Sequence, residues 1–514
     1  MKKIVFCLFL IISVLFAACS GEPESVISET ENISESADEA SSDEISDAAS
    51  VEESSEESME VSEDWGEMQY FSESELENCP LKPSVVFGDG MILQREKKVP
   101  VFGVADKSMN GSTVTVNFAG QTQKGKVEKG AFCVYLDPLD ANKVGGKLEV
   151  ICRCYTVTYE NVRVGDVYLA SGQSNMVHYV EYMGGATRNN IDNDCVYPDL
   201  GFLVIDEATA MTRQKTVGKT GWTIPDKSKI ASSKISCIAF IFAREIYKQT
   251  DVPTGVVIAA MGSSSIQTWI SPAHRNGSGL DFTYAPTETC FNGMMVPIIP
   301  MASKGFLWYQ GEGDSYSPAN YDGYLKLLIT STRELFEDED LPFFTVGLPS
   351  YNEIDFSTIW NSQIKAGNEL ENVYTTINYD VGDAADLHPA DKLTIANRLA
   401  NMALEKLYGI DTDNDYPLCV SAEFDGNTVK LTFDCESGIK IKKEDVNSLE
   451  VCGKDGKYVR CKASAESENV IAVTADIEEI TKIRYGYQKV MLPCDLVSGS
   501  GLPAIPFSFV KKAK

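Results

Sequence analysis

Residues 164–176, VGDVYLASGQSNM, constrain the fold more tightly than any other part of the chain. Val167, Tyr168, Leu169 and Ala170 form an apolar run suited to a strand buried on both faces. Ser171-Gly172-Gln173 then turns the chain, and Ser174-Asn175-Met176 leads into a segment able to form a helix. A serine at such a junction has its hydroxyl at the C-terminal edge of a sheet. Its own N–H is an unpaired donor at a helix start, the geometry that nucleophilic serines use. Taken alone, the turn reads equally as a capped helix, because serine caps helix ends well.

The surroundings extend this one junction into a repeating pattern. Apolar runs at 255–260, 306–309, 343–348 and 373–378 predict further buried parallel strands. Helical periods separate them. Ile238, Phe242 and Ile246 share one face, as do Leu393, Ala396, Leu399, Ala400, Ala403, Leu404 and Leu407. The second helix is expected to begin near Pro389 and to stop at Gly409. Strand–helix alternation from 165 to 410 predicts an open α/β sheet, whose sites lie at the C-terminal strand ends. Residues 180–235 lack periodicity and read as a loop-rich insertion over that edge.

On either side the pattern is β. Between 81 and 164, short β-rich runs at 113–118, 132–136 and 148–152 are divided by turns such as Asp89-Gly90 and Asp137-Pro138, predicting a small sandwich. After 411 the chain returns to strands, for example at 429–433. The run Asp411-Thr412-Asp413-Asn414-Asp415 starts like a calcium loop, but Tyr416 and Ala422 stand where glycine and glutamate belong. It reads as a linker.

The N-terminal part is of another kind. Lys2 and Lys3 precede an apolar run from 4 to 18, as in a secretion signal, too short to span a bilayer. The run ends Leu15-Phe16-Ala17-Ala18-Cys19, which resembles a bacterial lipoprotein cleavage site with Cys19 as the acylated residue. The expectation is an exported protein, held at a bacterial cell surface by lipid or simply secreted. Between Gly21 and Asn78 there are 21 acidic residues and no lysine or arginine. Residues 20–78 therefore read as an extended acidic tether unable to bury a core. The tether carries most of the formal charge of −30, so that charge says little about a substrate. Apart from Cys7 and Cys19, the cysteines are scattered without any CxxC, which removes zinc-finger spacing and leaves disulfide pairing unassigned.

Only three histidines are available as a base: His178, His274 and His388. His388 stands at a strand–helix junction, two residues after Asp386, and a helix N-terminus there helps to keep an imidazole neutral. His178, one turn beyond Ser174, suits a pocket wall; His274, in a Gly/Ser-rich loop, suits the surface. Asp386 and Asp383 are the carboxylates near enough in sequence to partner His388, and either could instead cap the following segment.

Three blocks share a resemblance. Gly165-Asp166-Val167 with Gly172-Gln173-Ser174-Asn175-Met176, then Trp308-Tyr309-Gln310-Gly311-Glu312, then Asp386-Leu387-His388-Pro389, are similar in order and spacing to blocks of the sialate O-acetylesterase family, a branch of the SGNH hydrolases. The resemblance covers nearly everything after the tether. It implies a flavodoxin-like parallel-sheet hydrolase domain at 165–410, flanked by β-sandwich-like domains at 79–164 and 411–514, after a signal and lipobox at 1–19. It also implies Ser174 as nucleophile, His388 as base and Asp386 as its acid, without metal or cofactor. The expected oxyanion donors are Ser174, Gly262 and Gln310. Ser263 replaces a family glycine; if that position needs positive φ, it is strained. Gly313-Asp314 also departs from the Ser-Asn common in the family. Gln173, Asn175, Trp269 and Glu312 are expected to meet substrate or brace the site, with Trp308 and Tyr316 offering faces to sugar rings.

The function implied is removal of O-acetyl groups from a sugar. A sialate 9-O-acetyl ester comes first and acetylxylan or another polysaccharide ester second. A non-catalytic surface glycan-binding protein is the rival of another class. A sialic acid carboxylate would call for an arginine, and Arg188, Arg213 and Arg275 are in suitable loops.

Overall fold

β8 (Tyr155–Gly172) is the 18-residue strand on which the computed structural model is built. Residues 80–412 and 414–512 are described, so the signal, Cys19 and the acidic tether lie outside the described residues. Seven strands precede β8: β1 (Leu81–Pro83), β2 (Ile92–Gln94), β3 (Val99–Ala105), β4 (Thr113–Phe118), β5 (Gln121–Lys126), β6 (Ala131–Leu136) and β7 (Asn142–Cys152). β9 (Leu200–Val204), β10 (Thr254–Ala260), β11 (Gly305–Tyr309), β12 (Phe343–Val346) and β13 (Val373–Thr376) follow it.

The first half of β8 pairs antiparallel with β7, with Cys152 opposite Tyr155. Its second half pairs parallel with β10 on one side and with β11 on the other, so that Ala260, Gly172 and Tyr309 end level. β11, β12 and β13 continue the sheet one way and β9 borders β10 the other way, all parallel. The ten-stranded sheet is thus mixed, not purely parallel, because one strand serves both the α/β part and the antiparallel arm β7-β4-β5. A separate three-stranded sheet, β1-β3-β6, lies beside that arm.

The four expected apolar runs all form strands, each within two residues of its sequence bounds. The reading of 180–235 as loop is corrected: Gly185–Asn193 and Lys227–Ala231 are helical, and Leu200-Gly201-Phe202-Leu203-Val204 (β9) is wholly buried and pairs with β10.

The helices on the sheet are α1 (Ser174–Val177), α2 (Gly185–Asn193), α3 (Cys237–Thr250), α4 (Tyr321–Leu335), α5 (Ser357–Glu369) and α6 (Lys392–Tyr408). Ser236 caps α3 through Ala239 N at 3.3 Å, and Ile238, Phe242 and Ile246 are buried on it. α6 begins three residues later than expected. Asp391, not Pro389, supplies the cap by accepting from Thr394 N at 2.9 Å. Gly409 ends α6 in the left-handed region, as foreseen.

Past α6 the chain is all β, with two four-stranded antiparallel sheets. Asp415, the last residue of the calcium-like run, braces the C-terminal strands. It accepts from Glu436 N (3.0 Å), Ser437 N (2.8 Å) and Ser437 Oγ (2.6 Å). The eleven cysteines among the described residues are all free thiols.

Candidate active site

β8 ends where its neighbour comes very close. A Cβ on Gly172, whose φ is +137°, would stand 2.1 Å from the Tyr309 carbonyl oxygen, so only glycine fits. Gln173 N then donates to that same carbonyl at 3.0 Å, and Gln173 Oε1 accepts from Gly313 N at 3.0 Å. The two strand ends are locked together, and α1 starts with Ser174 as its first residue.

His388 arrives from the loop after β13. Ser174 Oγ and His388 Nε2 are 2.8 Å apart, the one distance on which a hydroxyl-to-imidazole proton transfer depends. Ser174 N has no acceptor within reach among the described residues. Gly262, just beyond the end of β10, has open space where a side chain would be.

The carboxylates act differently from expectation. Asp386 Oδ1 accepts from the His388 main-chain N–H at 2.8 Å; this, not a bond to the ring, is its hydrogen bond to that residue. It reaches the imidazole by charge. His388 is held below the ordinary imidazole pKa by burial first and by Lys392 second, while Asp386 pulls it upward. Asp383 likewise caps the main chain, accepting from Ala385 N at 2.9 Å.

His178 stacks on His388, with ring centroids 5.0 Å apart and planes 24° from parallel. Burial, with Lys392 and His388 behind it, pushes its pKa down to about 4, so it is neutral at ordinary pH. His274 sits away from the pair and meets Glu334 at 3.2 Å.

Beneath the pair runs a buried polar chain. Lys392 Nζ donates to Asn175 Oδ1, and Asn175 Nδ2 donates to Glu312 Oε1 and to Leu387 O. It joins the residue after the serine to the residue before the histidine. Burial pushes Lys392 down to about 8 and Glu312 up to about 7. Lys392 was not foreseen from the sequence. Its signal was a lysine in the first turn of a helix, where the dipole disfavours a cation.

Several expected roles are corrected here. Gln310 is no oxyanion donor: its Nε2 gives its two hydrogens to Ser264 O (3.1 Å) and to Asp314 Oδ2. Its amide is spent on holding the 262–269 loop, together with Asp314, which accepts from Ile266 N at 2.8 Å. Gln173, Asn175, Trp269 and Glu312 are all buried, and they brace the site instead of meeting substrate. Trp269 Nε1, for example, donates to Ser264 Oγ at 2.9 Å. Trp308 is likewise core, whereas Tyr316 is 85% exposed. Ser263 does adopt positive φ, +58°, the strained conformation foreseen for a non-glycine there.

Residues 164–405 match the family described as carbohydrate esterase, sialic acid-specific acetylesterase. The sialate O-acetylesterase of Homo sapiens is 26% identical over 480 residues, covering 81% of this chain and 90% of the relative. That of Mus musculus is 24% identical over 511 residues, covering 81% and 92%. Among solved structures, a carbohydrate acetylesterase from Xanthomonas citri aligns with a TM-score of 0.75 at 25% identity, over 83% of this chain and 99% of its own. The chain is a carboxylic-ester hydrolase. Over residues 164–405 it belongs to the sialate O-acetylesterase family of carbohydrate esterases.

Proposed function

We propose that the protein removes O-acetyl groups from a carbohydrate through an acetyl-serine intermediate. The single observation carrying this reading is the 2.8 Å contact between Ser174 Oγ and His388 Nε2 at the C-terminal edge of the sheet. Ser174 Oγ attacks the acetyl carbonyl carbon while His388 Nε2 takes the hydroxyl proton. The carbonyl oxygen becomes an oxyanion, received by the main-chain N–H groups of Ser174 and Gly262. Collapse breaks the bond to the sugar oxygen, and His388 returns its proton to that oxygen. Water, deprotonated by the same imidazole, then hydrolyses the acetyl-serine to acetate. Asp386 fixes the His388 main chain and favours the imidazolium by charge.

The family description and the relatives' names put a sialate ester first among substrates, with an acetylated polysaccharide such as xylan second. A purely glycan-binding role is disfavoured by the intact serine–histidine contact. The alternation of strands and helices supports an SGNH-type core over about 165–410, with β-rich flanks at 79–164 and 411–514. The sequence from 1 to 19 supports export with a lipid on Cys19, or plain secretion.

Hydrolysis of p-nitrophenyl acetate tests the chemistry. The wild type is expected to turn it over and Ser174→Ala is expected to fall to background. Equal rates would dismiss Ser174 as nucleophile.

A further inference from the structure

A cavity of about 350 Å³ opens at the edge of the parallel strands opposite the serine. One wall comes from the sheet β1-β3-β6: Lys97 and Lys98 just before β3, Pro100 on it, and Tyr135 on β6. The other wall comes from the hydrolase core: Pro300 and Ser303 before β11, then Phe336, Glu337 and Asp338 after α4. Ser303 is two residues ahead of Gly305, where β11 begins, whereas Tyr309 at the far end of that strand stands level with Gly172. At about 3.3 Å per residue, β11 keeps the two edges about 15 Å apart. The cavity is therefore no part of the site that holds Ser174 and His388.

Its walls are fastened to each other. Lys97 Nζ donates to Asp338 and, at 3.1 Å, to Ser303 O. Tyr135 OH donates to Glu337 Oε2 at 2.6 Å, which holds its ring, 39% exposed, between β6 and the turn after α4. Inside, one polar group is left over. Ser303 is 3% exposed, yet its Oγ has no partner among the described residues. A buried hydroxyl without a partner costs about 1–3 kcal/mol, a cost that a hydroxyl brought in by a ligand removes. At the rim, Lys98 is exposed and forms no ion pair among the described residues.

This lining sets conditions on an occupant. Two lysines and two carboxylates balance, so the cavity calls for no net charge. The groups still unpaired are a hydroxyl that can donate or accept and an ammonium that donates. Tyr135, Pro100, Pro300 and Phe336 supply apolar faces beside them. A volume of this order is at the lower end of small-molecule sites, about 300–1,000 Å³. A small body with an apolar face and a rim of hydroxyls that donate and accept is a sugar ring, and such a face stacks on an aromatic side chain.

We propose that this cavity is a second, non-catalytic carbohydrate site, which holds one or two uncharged rings of a glycan against Tyr135 with a sugar hydroxyl on Ser303 Oγ. It goes beyond the esterase reading and does not depend on the chemistry at Ser174. To that reading it adds a hold on glycan at a distance from the serine.

The test titrates unacetylated xylohexaose, cellohexaose and mannohexaose into the full chain at millimolar concentrations and reads Kd by calorimetry. None carries an ester, so none is consumed. At least one is expected to bind. Tyr135→Ala should weaken it by roughly fivefold to tenfold, because the stacking face has gone. Tyr135→Phe keeps that face and loses only the bond to Glu337, so it should bind nearly as well as the wild type. Ser303→Ala should weaken binding by roughly threefold to tenfold. Hydrolysis of p-nitrophenyl acetate should be unchanged in all three variants, which also reports that they fold. Should Tyr135→Ala not fold, Ser303→Ala decides alone. Silence from all three sugars, or a Kd that the folded variants leave unchanged, would overturn the inference. Sodium sulfate bound where the sugars are not would make this an anion site at Lys98 and overturn it equally. A wild type that binds sugar through Tyr135 but does not hydrolyse the ester would remove the esterase reading and leave this one standing.

Discussion

His388 is tuned by neighbours that pull in opposite directions. Burial and the buried ammonium of Lys392 lower its pKa, and the Asp386 carboxylate raises it, with the net shift downward from the ordinary value. Only the neutral imidazole accepts the Ser174 proton, so activity is full above that pKa and is lost as pH falls through it. The acid limb of the kcat/KM profile is therefore expected below the ordinary imidazole value of about 6.5. Lys392→Met should move the limb upward, because a cation that disfavours imidazolium has gone; Asp386→Asn should move it further down. A limb that stays fixed in Lys392→Met would sink the electrostatic part of this account. His178→Ala serves as control: the ring stacks on His388 and is uncharged at working pH, so turnover should survive. Ser263 gives a second expectation. Its φ of +58° costs a side-chain-bearing residue about 1 kcal/mol, so Ser263→Gly should raise the unfolding free energy read from urea denaturation by about that much and keep activity. Unchanged stability would mean that the Ser263 side chain recovers the cost elsewhere. The serine and histidine were legible in the sequence because histidines are scarce and both flanking blocks are distinctive. The chain from Lys392 through Asn175 to Glu312 was not, since it joins residues 137 and 217 positions apart that only the folded sheet brings together.

At the scale of elements, β8 explains why Gly165-Asp166-Val167 is a block at all. A Cβ on Gly165 would stand 1.9 Å from Pro253 O, so β8 and the start of β10 close on glycine alone. Asp166 is fully buried, and its carboxylate gathers four donors. Arg95 Nε (2.9 Å) and Nη2 (3.1 Å) come from the residue after β2, Gln94 Nε2 (3.3 Å) from β2 itself, and Tyr408 OH (2.9 Å) from the end of α6. One side chain thus ties the N-terminal strands, the central strand and the last helix. Removing one member of a buried pair leaves the other uncompensated, so Asp166→Ala is expected to cost about 3–5 kcal/mol in urea unfolding, without touching the reacting atoms. A loss below about 1 kcal/mol would show that Arg95, with 17% of its side chain exposed, simply turns to water. Periodicity revealed β10 to β13 because each is a continuous apolar run. It missed β9 because its run is short and stands alone among residues without pattern. The late start of α6 has a similar cause: Pro389 is a plausible first residue, but Gly382 and Pro389 pack together and Asp391 caps instead.

On the scale of the whole molecule, the flanking segments reach the loops that present the histidine. Met491 N donates to Ser350 Oγ at 3.0 Å, and Ser350 Oγ donates to Tyr379 O at 2.6 Å. Tyr379 OH in turn donates to Ala504 O. Loops of the C-terminal β segment therefore hold the loops after β12 and β13 from behind, and the site is not the property of the central sheet alone. The acidic stretch before Cys79 is different in kind. Its composition offers too little apolar surface for a core, and in physiological salt its charges are felt over only about 8 Å. A chain starting at Cys79 is expected to keep the kcat/KM of the full chain on p-nitrophenyl acetate, because every residue assigned to the chemistry lies beyond that point. The same truncation should release the protein from the cell envelope if Cys19 bears the lipid, and Cys19→Ala in the full chain should release it equally. The two readouts separate display from catalysis. A large fall in kcat/KM on truncation would mean that the acidic segment acts at the site.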